Sequence, residues 1–282
     1  AAAATVVSQL ISAIGCFIFT FVKYKELRLC RSDFKAMNFK SSFEQLWQGI
    51  PLGLQFSVLA FGIIAMSNGV IAFDKTPAGV MTEGAPAQIG YGAACKLGNL
   101  LMTPLNALGT AMISFCGQNH GAGEYDRIKS GIKKSICMMF AIWIFDLIFG
   151  LLLTIDGAYQ YLFLASDKIT AQSVRFGNIY LYTVLPFYFL LGFIFNLRNI
   201  VQGLGKPIVP LFAGIAELAA RILICLFLPA AINGAPISTQ ASSLSFCMLS
   251  LADVGAWLAA DVLLVAATIV YTHRLGKITT LT

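Results

Sequence analysis

The sequence predicts an all-α fold, a polytopic membrane helical bundle with seven transmembrane helices, on three observations. Hydrophobic residues make up 58% of the 282 positions and charged residues only 11%, against about 25% charged in an ordinary soluble domain. Mean hydropathy is +0.79. The apolar residues are gathered into long runs that contain Gly and Pro, which membrane helices tolerate better than soluble ones. A water-soluble fold of this size could not hide so much apolar surface, so lipid is the expected solvent for most of the chain.

A hydrocarbon layer about 30 Å thick is crossed by roughly 20 helical residues. Seven runs qualify: Ala1–Val22, Ile50–Phe73, Gly90–Cys116, Ile132–Ile155, Phe176–Val201, Ile208–Ile232 and Leu244–Val270. The chain begins inside an apolar run, without an initiator Met or a basic-start signal peptide, and is expected to continue upstream. The stretch 23–48 is charged and mildly amphipathic. It reads as an interfacial, cytoplasmic linker between an orphan helix (1–22) and a six-helix group (49–282).

Charge placement orients the bundle. Thirteen of the 19 Lys and Arg fall on one side, in the linker, the loop around Arg127–Lys134, Lys206 and the tail; Lys75, Lys168 and Arg175 lie on the other. Basic loops face the cytoplasm, so the C-terminus is expected there. The net charge of +6 thus reports topology, and nucleic acid is excluded as a partner. The seven cysteines form no CxxC or metal spacing and mostly sit in apolar runs, where cysteine is a small hydrophobe. No metal is expected.

Ionisable groups inside a membrane helix cost roughly 2.5–3.5 kcal/mol each, so they tend to face the bundle interior and to mark function. Lys96, Asp146, Arg198, Glu217, Arg221, Asp253 and Asp261 are such groups. In the third run, Lys96, Asn99, Thr103, Asn106, Thr110 and Ser114 recur at steps of three and four, which confines them to an arc of about 80°. That polar stripe is expected to line a wet cavity; the alternative is interhelical hydrogen bonding through small residues. Pro104 is expected to bend this helix. Glu217 and Arg221 are spaced i, i+4 and can pair, either as a structural ion pair or with a gating role. Asp261 lies near mid-membrane and is a candidate proton carrier. Asp253 is expected near the outer surface, in reach of solvent, and Arg198 is expected to snorkel from its helix end. Asp146 is deep with no suggestive neighbour in sequence.

Several strings carry a family resemblance. The run GTAMISFCGQNHGAGEYDRIKSG (109–131) resembles the GQN-x-GAG…DRI signature of the multidrug and toxic compound extrusion (MATE) transporters. GIPLGLQFS (49–57) resembles the opening of that family's seventh helix, and VQGLGKP (201–207) its tenth-to-eleventh loop. GIAELAARIL (214–223) and DVGAWLAADVLL (253–264) are similar to its eleventh and twelfth helices. The resemblance implies twelve helices in two six-helix lobes around a cavity, with both termini cytoplasmic. This chain would then be the C-terminal lobe plus the sixth helix of an absent N-terminal lobe, its expected partner besides membrane lipid and a small-molecule solute. Such proteins sit in the cell (plasma or inner) membrane and are not enzymes. They export amphipathic, often cationic compounds in exchange for Na⁺ or H⁺, and no cofactor beyond that coupling ion is implied.

The departures from the pattern matter. Some branches carry acidic cation-site residues in the seventh and tenth helices; this sequence offers Gln55 in one, and Asn196 and Asn199 in the other. The branch it most resembles has its coupling Asp in the first helix, outside this sequence. Val254 stands where the twelfth-helix motif usually has Pro, and Asp261 is not part of the pattern. The candidate cavity residues are therefore Gln55, Lys96, Asn99, Thr103, Asn106 and Asn196, and the candidates for cation, proton or gating roles Glu217, Arg221 and Asp261.

A lipid-linked oligosaccharide flippase of the wider superfamily is the nearest alternative. Those cavities tend to be strongly cationic, whereas the spans here hold three basic and four acidic residues. A seven-helix receptor is disfavoured because the last span has neither a retinal-type Lys nor an NPxxY run. The motifs of intramembrane enzymes, such as HExxH or GxSxG with a His, do not occur.

Overall fold

The computed structural model describes residues 2–24 and 38–279, in two compact units, Ala1–Gln48 and Gly49–Thr282. The first unit contains α1 (Ala2–Lys23) and the start of α2 (Phe39–Ala72). Half of the stretch 23–48 read as interfacial, residues 25–37 with Cys30, lies outside the described residues. The second unit holds the rest of α2, then α3 (Pro86–Gly121), α4 (Tyr125–Thr154), α5 (Ala158–Phe163) and α6 (Ala171–Val184). It ends with α7 (Tyr188–Gly203), α8 (Ile208–Asn233) and α9 (Ser243–Thr279).

Among the described residues, seven helical segments are long and apolar enough to cross a membrane: Ala3–Lys23, Ser42–Ala72, Pro86–Gly121, Tyr125–Phe163, Ala171–Gly203, Ile208–Asn233 and Ser243–His273. They follow the predicted runs in order. Two of them are broken. The run Phe176–Val201 divides at a 3₁₀ turn, Leu185–Phe187, because Pro186 lacks an N–H and its ring crowds the carbonyl of the preceding turn. The Trp143 indole N–H donates to the Leu185 carbonyl at this break, 3.3 Å away. α4 likewise ends in a 3₁₀ turn where Asp156 adopts φ 50°. α3, by contrast, is assigned as one helix through Pro104.

The start of α3 shows how sequence sets an end. Pro86 occupies the first turn, where a missing N–H costs nothing. Ala85 has no side chain to cap the exposed backbone donors. Fully buried Asp74, from the preceding loop, supplies the cap instead: its carboxylate accepts from the N–H groups of Ala87 and Gln88, both at 2.9 Å. A carboxylate at this end also complements the helix dipole.

The core of the second unit runs along one face of α3 through Ala94, Leu97 and Leu101, against Leu181, Val184 and Leu185, and Leu105 is buried on the same face. At one end Phe73, Phe176 and Phe246 form an edge-on triad. Outward residues are apolar too: Phe145 and Leu152 on α4, Phe227 on α8 and Ile269 on α9 are all well exposed. In lipid, apolar surface gives helices little reason to associate, so close van der Waals approach through small residues carries the packing. Two glycines do this reciprocally between α3 and α7. A Cβ on Gly109 would lie 2.6 Å from the carbonyl oxygen of Phe195, and one on Gly203 2.6 Å from that of Ile113.

Overfilling so tight a contact costs about 1–3 kcal/mol. Gly109→Val is therefore expected to lower the thermal unfolding midpoint in detergent. Gly92→Ala, where a Cβ meets nothing within 4 Å, is expected to leave it unchanged. Equal midpoints for both variants would refute the close-approach account.

Candidate functional site

The polar residues of the spans separate into two sets. The first is a chain of buried charges inside the second unit. On α8, Glu217 and Arg221 are one turn apart, and Arg221 Nη2 donates to Glu217 Oε1 at 3.3 Å. This is the pair the spacing predicted, and it is one link of a longer chain. Arg198 of α7 donates from Nη2 to Glu217 Oε2 at 3.2 Å. Arg221 Nε donates to Asp253 Oδ1 of α9 at 3.0 Å. The Tyr180 hydroxyl of α6 donates to Asp253 Oδ2 at 2.7 Å. With the Gln55 amide turned so that its carbonyl faces the guanidinium, Oε1 accepts from Arg198 Nη1 and Nε at 3.1 and 3.0 Å. Six residues on five helices are thus joined end to end, and their two positive and two negative charges cancel.

Two expectations are corrected by this arrangement. Arg198 does not snorkel; it is buried, 8% exposed, because Glu217 and Gln55 meet its guanidinium inside the bundle. Asp253 is not at solvent; it is 7% exposed and held by Arg221 and Tyr180. Gly62 of α2 makes room for the chain, since a Cβ there would lie 2.6 Å from Arg221 Nη1. Tyr180 gave no sequence signal. Its partner is 73 positions away, and a Tyr in an apolar run reads as core.

Asp261 lies on α9 two turns beyond Asp253. It is buried, and neither carboxylate oxygen has a hydrogen-bond partner among the described residues. Asp146 of α4 is also buried, with Oδ2 in the same condition.

The second set is the stripe on α3. Lys96, Asn99, Thr103, Asn106, Thr110 and Ser114 are all exposed, on the side of α3 away from the Leu97–Leu105 core. Thr103 and Thr110 turn their hydroxyls back onto the carbonyls of Asn99 and Asn106, at 2.9 and 3.0 Å. Lys96 Nζ reaches the Phe163 carbonyl at 3.5 Å. Towards the basic end, a cavity of about 460 Å³ lies between α3 and α4, where Leu108, Met112 and Phe115 face Arg127 and Lys134.

Gln55 and Asn196, expected beside the stripe at a cavity, are not on this face. Both are 1% exposed. Gln55 is taken up by Arg198, and Asn196 Nδ2 donates to Ser135 Oγ of α4 at 2.9 Å. Among the described residues there is no group of three or more His, Cys, Asp or Glu side chains able to hold a metal ion.

Comparison with known proteins fits this architecture. A family model described as MatE matches residues 85–227, half of the chain. A Bacillus subtilis (strain 168) protein, the probable multidrug resistance protein YpnP, is 28% identical over 165 residues, which is 56% of this chain and 32% of YpnP. Among solved structures, an outward-facing multidrug resistance MATE family transporter of the MOP superfamily superposes with a TM-score of 0.74 at 16% identity, over 98% of this chain and 56% of that one. A MOP superfamily transporter from Pyrococcus furiosus, described as having a binding pocket of reversed polarity, gives 0.73 at 18%, over 98% and 56%. The chain therefore spans about a third of the curated relative and little more than half of the solved structures.

Removing one member of a buried ion pair leaves an uncompensated charge and costs about 3–5 kcal/mol. Asp253→Ala is expected to destabilise the protein by an amount of that order. Adding Arg221→Leu to Asp253→Ala is expected to recover part of the loss, because the stranded guanidinium is then gone. Thermal unfolding of both variants in detergent checks this; simple additivity would contradict the linkage.

Proposed function

Since the chain belongs to the MatE family, we propose that it forms the C-terminal six-helix lobe, with one helix of the preceding lobe, of a cation-coupled exporter. Its solutes are amphipathic, often cationic compounds, carried across the cell membrane away from the basic, cytoplasmic side. The observation that supports this best is the exposed stripe on α3. Six polar residues in a helix of membrane-crossing length cannot be left against hydrocarbon without cost, so water or a second polar surface must cover them. In this reading Lys96, Asn99, Thr103 and Asn106 face the solute path, and the opposite wall belongs to the other lobe of the full-length protein.

The charge balance favours small-solute export over the flippase alternative. Both buried arginines are matched by Glu217 and Asp253 inside the lobe, so Lys96 is the cation of the spans that stands on the exposed stripe. Glu217 and Arg221 are fully engaged with each other and with Arg198 and Asp253, and serve to hold the lobe's shape. Asp261, deep and unpartnered, is the better candidate to take up a coupling proton or Na⁺.

Single cysteines at 99, 103 and 106, placed in a cysteine-free version of the full-length protein, test the cavity. Water-soluble thiol reagents are expected to label all three in at least one open state, and a transported dye to slow the labelling. Resistance in both open states would remove the basis for the reading. For Asp261, the expected outcome of Asp261→Asn is export of dye that no longer responds to the driving ion gradient. Unchanged ion dependence in that variant would exclude Asp261 from coupling.

A further inference from the structure

A groove of about 710 Å³ lies where α4, α7 and α9 meet, on the basic side of the chain. Its walls are apolar: Ile136 from α4, Phe193 and Leu197 from α7, and Val265 and Ile269 from α9. The two threonines of α9 in the groove are spent internally. Thr268 donates to the Leu264 carbonyl and Thr272 to that of Thr268, both at 2.7 Å. Val265 and Ile269 are exposed, so the groove opens outward. All three helices belong to membrane-crossing segments, and an outward face of theirs that is apolar is one that lipid can cover.

The rim carries the distinguishing chemistry. Lys129 and Lys133, one turn apart on α4, both border the groove. Lys133 is exposed and makes no ion pair among the described residues. Lys129 pairs with Asp126 at 3.3 Å, but Asp126 is 79% exposed, and a solvated pair of this kind is easily exchanged for another anion. His273 stands at the same end of the groove. An apolar groove bordered by two lysines matches the two halves of an anionic phospholipid.

We infer that this groove is a binding site for an anionic phospholipid of the leaflet on the basic side. The headgroup phosphate is held by Lys133 and Lys129, and an acyl chain lies along Ile136, Leu197 and Ile269. Basic pockets between membrane helices on this side select anionic headgroups by charge, while the chain is held by apolar contact. The long lysine stems reach the headgroup level without leaving the apolar wall. This site is separate from the α3 stripe and does not depend on what the protein transports.

The test is native mass spectrometry of the purified chain in detergent, titrated with dioleoyl-phosphatidylglycerol or dioleoyl-phosphatidylcholine. Phosphatidylglycerol is expected to bind at least about tenfold more tightly than phosphatidylcholine. Lys129→Gln with Lys133→Gln is expected to bring the two lipids to parity. Arg127→Gln with Lys134→Gln, which removes two charges from the neighbouring cavity, is expected to preserve the preference. Leu197→Trp, which fills the groove, is expected to weaken both lipids. Three results would overturn the inference: equal binding of the two lipids by the parent, loss of preference in the Arg127/Lys134 control to the same extent, or displacement of the lipid by soluble glycerol phosphate at equal concentration.

Discussion

The lobe depends on a line of charge that lipid cannot solvate. Between Gln55 and Tyr180, the side chains of Arg198, Glu217, Arg221 and Asp253 each take one partner on either side. No member can leave without stranding a neighbour in a medium that offers nothing in exchange. Because the charges cancel within the line, its four ionised side chains add no net charge to the interior of the lobe. The arrangement also substitutes for a force that membrane helices lack. Lipid tails are as apolar as leucine, so apolar contact does little to select which helices are neighbours. Specific polar links from α8 to α7 and α9, and onward to α2 and α6, do select them.

The same physics gives meaning to the polar residues that are not satisfied. In the interior line every charge has an answering charge, and its role is explained by the fold. The α3 stripe has no such explanation. Two of its hydroxyls fold back on their own helix and Lys96 touches a carbonyl, yet all six side chains stay on the open face. A fold that needed only hydrogen-bonded helix contacts would have turned this face inward, where Leu97, Leu101 and Leu105 lie instead. The side of α3 that packs and the side that is polar are distinct, and this separation supports a wet surface over a merely structural one.

Much of this was legible in the sequence. Run length and composition located the seven spans, and helical periodicity placed the stripe on one face because both depend only on near neighbours. The i, i+4 spacing likewise announced Glu217 and Arg221. What could not be read were links between distant positions. Arg198 and Glu217 are 19 residues apart, and Arg221 and Asp253 are 32. Judged by depth alone, Arg198 looked free to snorkel and Asp253 free to reach water. The intramembrane charges did hold the needed hint: two deep arginines beside several deep carboxylates are affordable only if they meet. Gln55 and Asn196 misled for a related reason, since a lone amide in an apolar run gives no indication of which way it faces. The breaks at Pro186 and Asp156 were local and still went unread, the first because a membrane span commonly tolerates an internal proline.

The two sets of polar residues are mechanically joined, although they do not touch. Gly109 and Gly203 bring the backbones of α3 and α7 so close that neither helix has room for an added methyl group. α7 is in turn fixed to α8 through Arg198 and Glu217, and α8 to α9 through Arg221 and Asp253. The stripe is therefore referenced, through a reciprocal pair of glycine contacts and two ion pairs, to the far side of the lobe. A helix held in this way cannot slide or rotate alone without opening a backbone contact or exposing a charge to hydrocarbon. If the stripe changes the surface it faces, the cheapest route is movement of the lobe as one body, with its internal links intact.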